Sequence, residues 1–493
     1  MLVVATAQEL AEAAGRVWGT GGWEAPEQRE ARDWLCLGRL CGWPAMVAGD
    51  VAAPATHFVV WTGSPPDERA TLGLVARLEH EPLLIVAPAA GDGQPWARAA
   101  GSRLGGDPIA GHDLQSEARA WRCREPVCAV ELAGEDSQPA ATLDGRVIAR
   151  LRRIGRGAIL TLGFHPSAAR DADGAFSALL RTLLVSHARA SVTALDWSGT
   201  LVLRMDDPGS PESAYHAGWR YPKLGSGDWR RLGAELRRRR GRMSAAYVPT
   251  FVDDGDPERG RLEVIGRPAA RHAGALHPSR QVRYRTADLV WDGVDEHTGL
   301  AEQLAAGVID IELHGHTHLH PDRLAWAAAP DRYDARRWYR ELVGDADAFA
   351  GADHPLARGL DEIKAAFGIS SRALVCPGDA WTESALVRAL DLGVELVSSY
   401  YLALRDADRF VWCQHVCAPY LDTAHPRWFA AELPVVGYFH DMEPSVHGLD
   451  WLTEQLDAWT AAGARRLISL GDLAAALAPV RPVALDCRER GDQ

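Results

Sequence analysis

The chain has 493 residues, of which 47% are hydrophobic and 24% are charged, as is usual for a globular protein. Its formal net charge of −13 argues against nucleic acid or an anionic membrane surface as the main partner, because both attract clustered positive charge. No run of about 18 apolar residues occurs, so we expect no membrane span.

The N-terminal sequence and the cysteines indicate the compartment. The first residues, MLVVATAQELAEAAG, lack the charged start and the long apolar stretch of a signal peptide, and they are typical of a strand followed by a helix. The eight cysteines show no CxxC spacing. We therefore expect a cytoplasmic protein whose thiols are unpaired.

The length predicts more than one domain, and the hydrophobic pattern divides the chain into two α/β parts. In the first part, strand-like and helix-like patterns alternate, as in THFVVWTG (56–63), DERATLGLVARLEHE (67–81) and PLLIVAP (82–88). This order predicts a flavodoxin-like, doubly wound sheet over residues 1–195. The pattern restarts at TLVLRM (200–205), which predicts a second α/β domain over 196–485 and a C-terminal tail over 486–493.

The first part resembles the class I glutamine amidotransferase-like fold in its strand–helix order and in GAILTLGFHPS (157–167). Enzymes of that fold carry a cysteine in a tight turn flanked by glycines, and no cysteine of this chain has that context. The resemblance therefore implies an accessory domain without catalytic activity, which binds sugar or completes a cleft.

In the second part, polar side chains follow the predicted strands at their carboxyl ends. They are Asp206 and Asp207, His314, Pro377 and Asp379, and His440 and Asp441. In parallel (β/α) barrels the active site lies at that rim. The sequence therefore predicts a barrel with a site at its mouth.

Four of the 18 histidines occupy alternate positions in IELHGHTHLHPD, at 314, 316, 318 and 320. An extended chain would place all four on one side, whereas a helical chain would pair His314 with His318 or His316 with His320. Either geometry can present two imidazoles to one ion, and a carboxylate is a common third ligand. We therefore expect a metal site.

Two pairs of aspartates could supply that carboxylate or contact the substrate. Asp206 and Asp207 in RMDDPGSP would repel each other unless a cation neutralised one of them, so one could bind the metal while its neighbour acts as a base. The pair Asp253–Asp254 lies in a segment typical of a loop and is an alternative contact for substrate.

Two further segments are candidates for the site. His440 ends an apolar strand beside Asp441, and a histidine near a carboxylate can act as a general acid. In LVCPGDAWTESA (374–385), Pro377, Asp379 and Trp381 would form a wall of a sugar pocket, since aromatic rings suit the apolar faces of sugars. An ordinary turn capped by Thr382 or Asp379 would explain the same residues.

In this order the four segments resemble the polysaccharide deacetylase superfamily, the NodB-homology carbohydrate esterases, over about residues 198–480. The resemblance implies Asp206 as general base, Asp207 and a His-x-x-x-His pair as metal ligands, and His440 as general acid. The form H-G-x-T-H favours His314 and His318, whereas H-[ST]-x-x-H-P matches His316 and His320; we expect the first pair. Pro377, Asp379, Trp381 and Asp441 would contact substrate.

The implied activity is removal of acetyl groups from N-acetylated sugars of a polysaccharide or glycoconjugate, with Zn²⁺ as the expected metal and Co²⁺, Ni²⁺ or Mn²⁺ as alternatives. The chain departs from the family, because CPGDAW lacks the arginine that orients the base. Alternatives are an inactive carbohydrate-binding protein, another metal-dependent C–N hydrolase, a metal-free glycoside hydrolase, and a calcineurin-like phosphoesterase, which would need a G-N-H motif that is absent here.

Overall fold

The structure is a computed structural model that describes residues 1–19, 30–51, 57–116, 119–122, 127–134, 136–164, 175–188, 192–216, 218–330, 339–343 and 354–478. The C-terminal tail expected at 486–493 lies outside these residues, as do Cys123 and Cys487. The six described cysteines are free thiols. None of the described helices combines the length and the apolar character that crossing a membrane requires.

The N-terminal part contains twelve strands and five helices among its described residues. The strands are β1 (Leu2–Val4), β2 (Val17–Trp18), β3 (Met46–Ala48), β4 (Phe58–Trp61), β5 (Leu84–Pro88), β6 (Ser102–Leu104), β7 (Asp113–Ser116), β8 (Ala120–Arg122), β9 (Val130–Leu132), β10 (Ser137–Leu143), β11 (Arg146–Ile154) and β12 (Gly157–Leu162). The helices are α1 (Ala7–Ala13), α2 (Glu30–Leu40), α3 (Glu68–His80), α4 (Pro95–Ala100) and α5 (Ala175–His187).

Nine of these strands form one mixed sheet in the order β3-β1-β4-β5-β12-β11-β10-β7-β8. The first five are parallel, as the strand–helix order predicts, and the last four continue in antiparallel pairs. The sheet therefore differs from the expected all-parallel arrangement. The reason is two tight turns: Gly155, with φ of 49°, and Arg156 join β11 to β12, and Asp144 and Gly145, with φ of 47° and 77°, form an Asp-Gly hairpin turn between β10 and β11.

The C-terminal part contains fifteen strands and nine helices among its described residues. The strands are β13 (Thr200–Asp206), β14 (Met243–Tyr247), β15 (Thr250–Val252), β16 (Arg261–Val264), β17 (Arg267–Pro268), β18 (Leu276–Pro278), β19 (Val282–Arg285), β20 (Val290–Asp292), β21 (Ile309–Leu313), β22 (Ala373–Val375), β23 (Leu396–Ser398), β24 (Tyr401–Asp406), β25 (Arg409–Cys417), β26 (Val435–His440) and β27 (Arg466–Ile468). The helices are α6 (Glu212–Tyr215), α7 (Ser226–Arg238), α8 (Gly293–Ala305), α9 (Arg323–Ala327), α10 (Pro355–Phe367), α11 (Glu383–Asp391), α12 (Met442–His447), α13 (Leu449–Ala462) and α14 (Leu470–Leu477).

The second large sheet has the order β2-β25-β24-β23-β22-β21-β14-β13-β26, and β27 also pairs with β13. From β23 to β26 all neighbouring strands are parallel, so their carboxyl ends meet at one edge. Strand pairing within the described residues does not close the sheet. A single bridge pairs Tyr420 with Tyr438 of β26. The mixed α/β class is as predicted, and the closed barrel remains a prediction.

The boundary expected at 195/196 also stays a prediction. The two parts are joined by strand pairing and by a shared apolar cluster. The short strand β2 lies in the N-terminal part but pairs with β25 of the second sheet, through Val17 with Phe410 and Trp18 with Val411. Buried apolar side chains of both large sheets also form one continuous cluster. The N-terminal residues therefore complete the second sheet at one edge.

The core beneath the second sheet predicts where a truncation is costly. Leu203 lies in β13 with no exposed surface, so Leu203→Ala should lower the free energy of unfolding by about 2–5 kcal/mol through lost burial and a cavity. Leu72 on α3 is 67% exposed, and Leu72→Ala should change it by less than about 0.5 kcal/mol. Urea unfolding of both variants measures the difference, and equal effects would contradict the assigned core.

Candidate metal and catalytic site

The carboxyl ends of the parallel strands bring most of the expected site residues together. Asp206 and His440 are register partners on the neighbouring strands β13 and β26, and His314 follows β21 directly. A cavity of about 380 Å³ opens at this edge. Its lining consists of Asp206, Asp207, Glu212, His216, Trp219, His314, His318, Tyr339, Arg340, Cys376, Gly378, Asp379, Tyr400, Tyr438 and His440.

Asp207, His314 and His318 converge at the buried end of this cavity. One ligand atom from each lies within 4.8 Å of the others. The Oδ1 atom of Asp207 is 3.3 Å from Nε2 of His314 and 3.5 Å from Nε2 of His318. Two donors that each lie about 2.1 Å from one ion at a tetrahedral angle are about 3.4 Å apart, so this spacing fits a shared divalent cation.

The alternative pair of histidines does not share this arrangement. The imidazole of His320 accepts a hydrogen bond at Nδ1 from the backbone N–H of Asp322, and neither His316 nor His320 lines the described cavity. His316 is buried, and burial followed by the charges of Arg358 and Arg323 lowers the pKa of its imidazole to about 3. The structure therefore brings Asp207 together with His314 and His318, the pair favoured by the H-G-x-T-H form.

The chemistry of these three residues also fits a cation. Nδ1 of His314 lies 3.0 Å from the carbonyl oxygen of Val375, which can only accept, so in the neutral ring Nε2 is the nitrogen that has the lone pair. Burial lowers the pKa of His318 to about 3, against the opposing charge of Asp207, and this keeps the ring neutral. Oδ1 of Asp207 is buried and accepts no hydrogen bond from a described residue. A nitrogen–nitrogen–oxygen set of this kind suits Zn²⁺ and similar divalent ions.

The loop that carries both histidines is held by Glu341, a residue that the sequence analysis missed. Its buried carboxylate accepts hydrogen bonds from the backbone N–H groups of His316, Thr317 and His318 and from the Thr317 hydroxyl. The backbone is left-handed at Gly315 and His318, with φ of 74° and 58°. Glu341 therefore closes the turn that aims the two histidines at one point.

Asp206 points to the same cavity and is oriented by an arginine of its own strand. Nη2 of Arg204 donates to Oδ2 of Asp206 at 2.8 Å, and Nη1 donates to Oγ of Ser398 at 2.8 Å. Both Arg204 and Asp206 are buried, and Oδ1 of Asp206 has no hydrogen-bond partner among the described residues. Arg204 thus contacts the aspartate from two positions before it in the same strand. In the strand segment RMD, Arg204 and Asp206 are alternate residues and share a face, so the sequence could have predicted this contact.

His440 lies beside Asp206 at the same edge of the cavity and is held by two partners. Its Nδ1 lies 3.2 Å from the hydroxyl of Tyr420 and 3.6 Å from Oε1 of Glu443, and its backbone N–H donates to Oε2 of Glu443 at 2.7 Å. Burial alone would lower the pKa of His440, but the contact with Glu443 and the charges of Asp207 and Asp206 raise it to about 9. A protonated imidazole beside two carboxylates is suited to donate a proton.

Of the other residues in CPGDAW that were expected to contact substrate, one lines the cavity and two do not. Asp379 lines the cavity and accepts a hydrogen bond from Ser399 Oγ at 2.7 Å. Trp381 stacks on the buried Trp412 at 4.9 Å instead of lining the cavity, and Pro377 is buried against Gly315. These two residues therefore support the wall from behind.

Asp441 is also behind the cavity surface. It has no exposed surface, and its carboxylate accepts hydrogen bonds from Tyr221 at 2.5 Å and from Lys223 at 2.7 Å. The competing pair Asp253–Asp254 is bound by Arg271 and does not belong to the described lining. Asp441 therefore binds Tyr221 and Lys223 below the cavity surface, and Asp253–Asp254 stabilises a loop.

Comparisons with known proteins add remote likenesses only. No protein-family model and no curated protein matches the chain. Among solved structures, Agd3, titled a novel carbohydrate deacetylase, has 9% identity over 97% of this chain and 86% of its own, with a TM-score of 0.46. A CE4 family pseudoenzyme from Bacillus anthracis has 9% identity over 56% of this chain and 66% of its own, with a TM-score of 0.28.

A third likeness is to the exo-β-1,4-mannosidase Op5Man5 from Opitutaceae bacterium strain TAV5, with 13% identity and a TM-score of 0.25. It covers 34% of this chain and 32% of the mannosidase, so the match spans about a third of that protein's length. With TM-scores this low, the function has to be argued from the geometry of the site.

Gly315 tests the turn that presents the histidines. A Cβ at this position would lie 2.3 Å from Oε2 of Glu341 and 2.6 Å from Cγ of Pro377, so Gly315→Ala should displace Glu341 and weaken Zn²⁺ binding by about tenfold or more. Gly307 has a similar φ of 68° with open space around it, so Gly307→Ala pays the backbone cost alone. Chelator competition should find weakened binding only in the first variant; equal affinities would exclude the role given to Glu341.

Proposed function

We propose that the chain is a metal-dependent hydrolase that removes acetyl groups from N-acetylated sugars of a polysaccharide or glycoconjugate. One observation carries the proposal. Asp207, His314 and His318 converge on one point, and Asp206 and His440 line the same cavity. A divalent cation bound there would polarise the acetyl carbonyl and lower the pKa of a water molecule.

The chain's own residues divide the proton transfers between them. Arg204 holds one oxygen of Asp206, and the other oxygen, Oδ1, takes a proton from water as the water oxygen forms a bond to the acetyl carbon. Glu443 holds Nδ1 of His440, and Nε2 gives its proton to the amide nitrogen as the C–N bond breaks. The products are acetate and a free amine.

The walls of the cavity support a sugar as the substrate. Trp219, Tyr339, Tyr400 and Tyr438 line it, and aromatic faces suit the apolar faces of sugar rings. Asp379 and Arg340 add polar groups that can bond sugar hydroxyls. Trp381, the aromatic residue expected from the sequence, is not in this lining, and the aromatic faces come from Tyr438 of β26 and from residues outside the strands.

The case for an inactive carbohydrate-binding protein depended on the missing arginine. Because Arg204 makes the contact that this arginine would make, that observation no longer favours inactivity. Another of the alternatives, a different metal-dependent C–N hydrolase, is tested by comparing N-acetylated sugars with simple acetamides. Faster hydrolysis of the acetamides would contradict the sugar assignment.

The central test is acetate release from N-acetylated oligosaccharides by the protein after incubation with Zn²⁺ or Co²⁺. We expect activity that a chelator removes and the metal restores. Asp206→Asn should lower kcat about 10²- to 10⁴-fold, because the base is lost, while one metal ion stays bound per chain. Normal turnover by this variant would show that the base is another residue; loss of the metal would show that Asp206 acts as a ligand.

A second prediction concerns the orientation of the base. Arg204→Lys keeps the charge but loses the planar group that bonds Asp206 and Ser398 together, so kcat should fall about tenfold with little change in KM. Arg150 is a buried arginine of the N-terminal part that donates to the carbonyl oxygens of Val130 and Ser137, and Arg150→Lys should leave both constants unchanged. If both substitutions lower kcat and change KM to a similar extent, the cause is a general loosening of the fold.

A further inference from the structure

Glu212 has no role in the reaction described above, although its side chain reaches the metal ligands. It is the first residue of α6, directly after the turn that follows Asp207, and its side chain is only 13% exposed. Its Oε2 atom lies 3.4 Å from Nδ1 of His318. The opposite nitrogen of the same ring, Nε2, lies 3.5 Å from Oδ1 of Asp207.

This geometry separates Glu212 from a metal ligand. The two nitrogens of an imidazole point in diverging directions, so a carboxylate on Nδ1 cannot also contact an ion held by Nε2. Glu212 can act on the ion only through the ring between them. We propose that Glu212 is a positioning residue, which holds His318 with its hydrogen on Nδ1 and its Nε2 lone pair aimed at the ion; this inference rests on the proposed metal site.

The two histidine ligands differ in the groups behind them. His314 donates from Nδ1 to the neutral carbonyl of Val375, whereas Nδ1 of His318 faces the carboxylate of Glu212 at 3.4 Å, outside hydrogen-bond geometry. A carboxylate behind an imidazole makes its second nitrogen a stronger donor to a metal. A carboxylate at Nδ1 would therefore strengthen Nε2 of His318 as a donor to a metal, through a side chain that substitution can remove.

His318 also needs more support than His314. Its backbone is left-handed, with φ of 58°, a conformation that is strained for a residue with a Cβ. Glu341 bonds its backbone N–H at 3.3 Å, which fixes the main chain but leaves the ring free to turn. Glu212 supplies the missing restraint on the ring.

The lining of the cavity offers a competing role for Glu212, as a direct contact to the substrate. The two roles differ in what they affect. A substrate contact changes KM and leaves metal affinity alone, whereas a positioning residue changes metal affinity in the absence of any substrate. The metal alone is therefore the probe.

The experiment measures Zn²⁺ affinity of the full-length protein by competition with a chromophoric chelator, without substrate. Glu212→Ala should bind Zn²⁺ about 10- to 100-fold more weakly than the unsubstituted chain. Glu212→Gln should lose less, since its amide oxygen can still accept from Nδ1. The absorption spectrum of the Co²⁺ form should change in the same order, because it reports the geometry of the ligands.

Glu443→Gln is the matched control, because it removes a buried carboxylate from His440, which is not a proposed ligand. Its Zn²⁺ affinity should match that of the unsubstituted chain. An equal loss of Zn²⁺ affinity in Glu443→Gln would show that removing any nearby negative charge weakens binding, and this would overturn the inference. An unchanged affinity in both Glu212 variants with a raised KM would overturn it in favour of substrate contact.

Failure of the proposed function is distinguishable from failure of this inference. If the unsubstituted chain binds no Zn²⁺ or Co²⁺, the metal site is wrong and the role of Glu212 is overturned with it. If that chain binds metal and the Glu212 variants bind as tightly, only the inference is wrong. Should Glu212→Ala not fold, the nearly isosteric Glu212→Gln and its Co²⁺ spectrum decide the question.

Discussion

The site depends on the left-handed backbone of Asp207, at the point where β13 ends. In a regular strand two adjacent side chains point to opposite faces, so Asp206 and Asp207 could not both reach one cavity. At Asp207 φ is 75°, and this turn directs its carboxylate to the histidines while Asp206 stays beside Arg204. Lys223 stabilises the turn, because its ammonium donates to the carbonyl oxygen of Asp207 at 2.8 Å.

Burial of so many charges is possible because most have a partner on the side away from the cavity. Arg204 neutralises Asp206 and Lys223 neutralises Asp441 with little or no solvent contact, and His440, whose side chain is 21% exposed, pairs with Glu443. A buried charge without such a partner is strongly destabilising. Asp207 lies beside the imidazoles of His314 and His318 and near the ammonium of Lys223, and Glu212 adds a second carboxylate that a bound cation would help to offset.

The sequence predicted the groups that follow strands and missed those that hold them. The alternating histidines after an apolar run identified His314 and His318, and the same period-two reasoning would have found Arg204. Glu341 and Lys223 have no such signal, because their contacts join segments that are far apart in the chain. Asp441 was expected in the cavity because it follows a strand, but a sequence cannot show that Lys223 and Tyr221 cover it.

The N-terminal residues take part in the site through the second sheet. Without β2, the strand β25 would be an exposed edge, with unpaired backbone groups open to other chains. β25 in turn holds β24, and Trp412 of β25 packs against Trp381. Tyr400, directly before β24, lines the cavity. The N-terminal part therefore stabilises the aromatic wall through strand pairing, and this is a structural reason for its fusion to the second part.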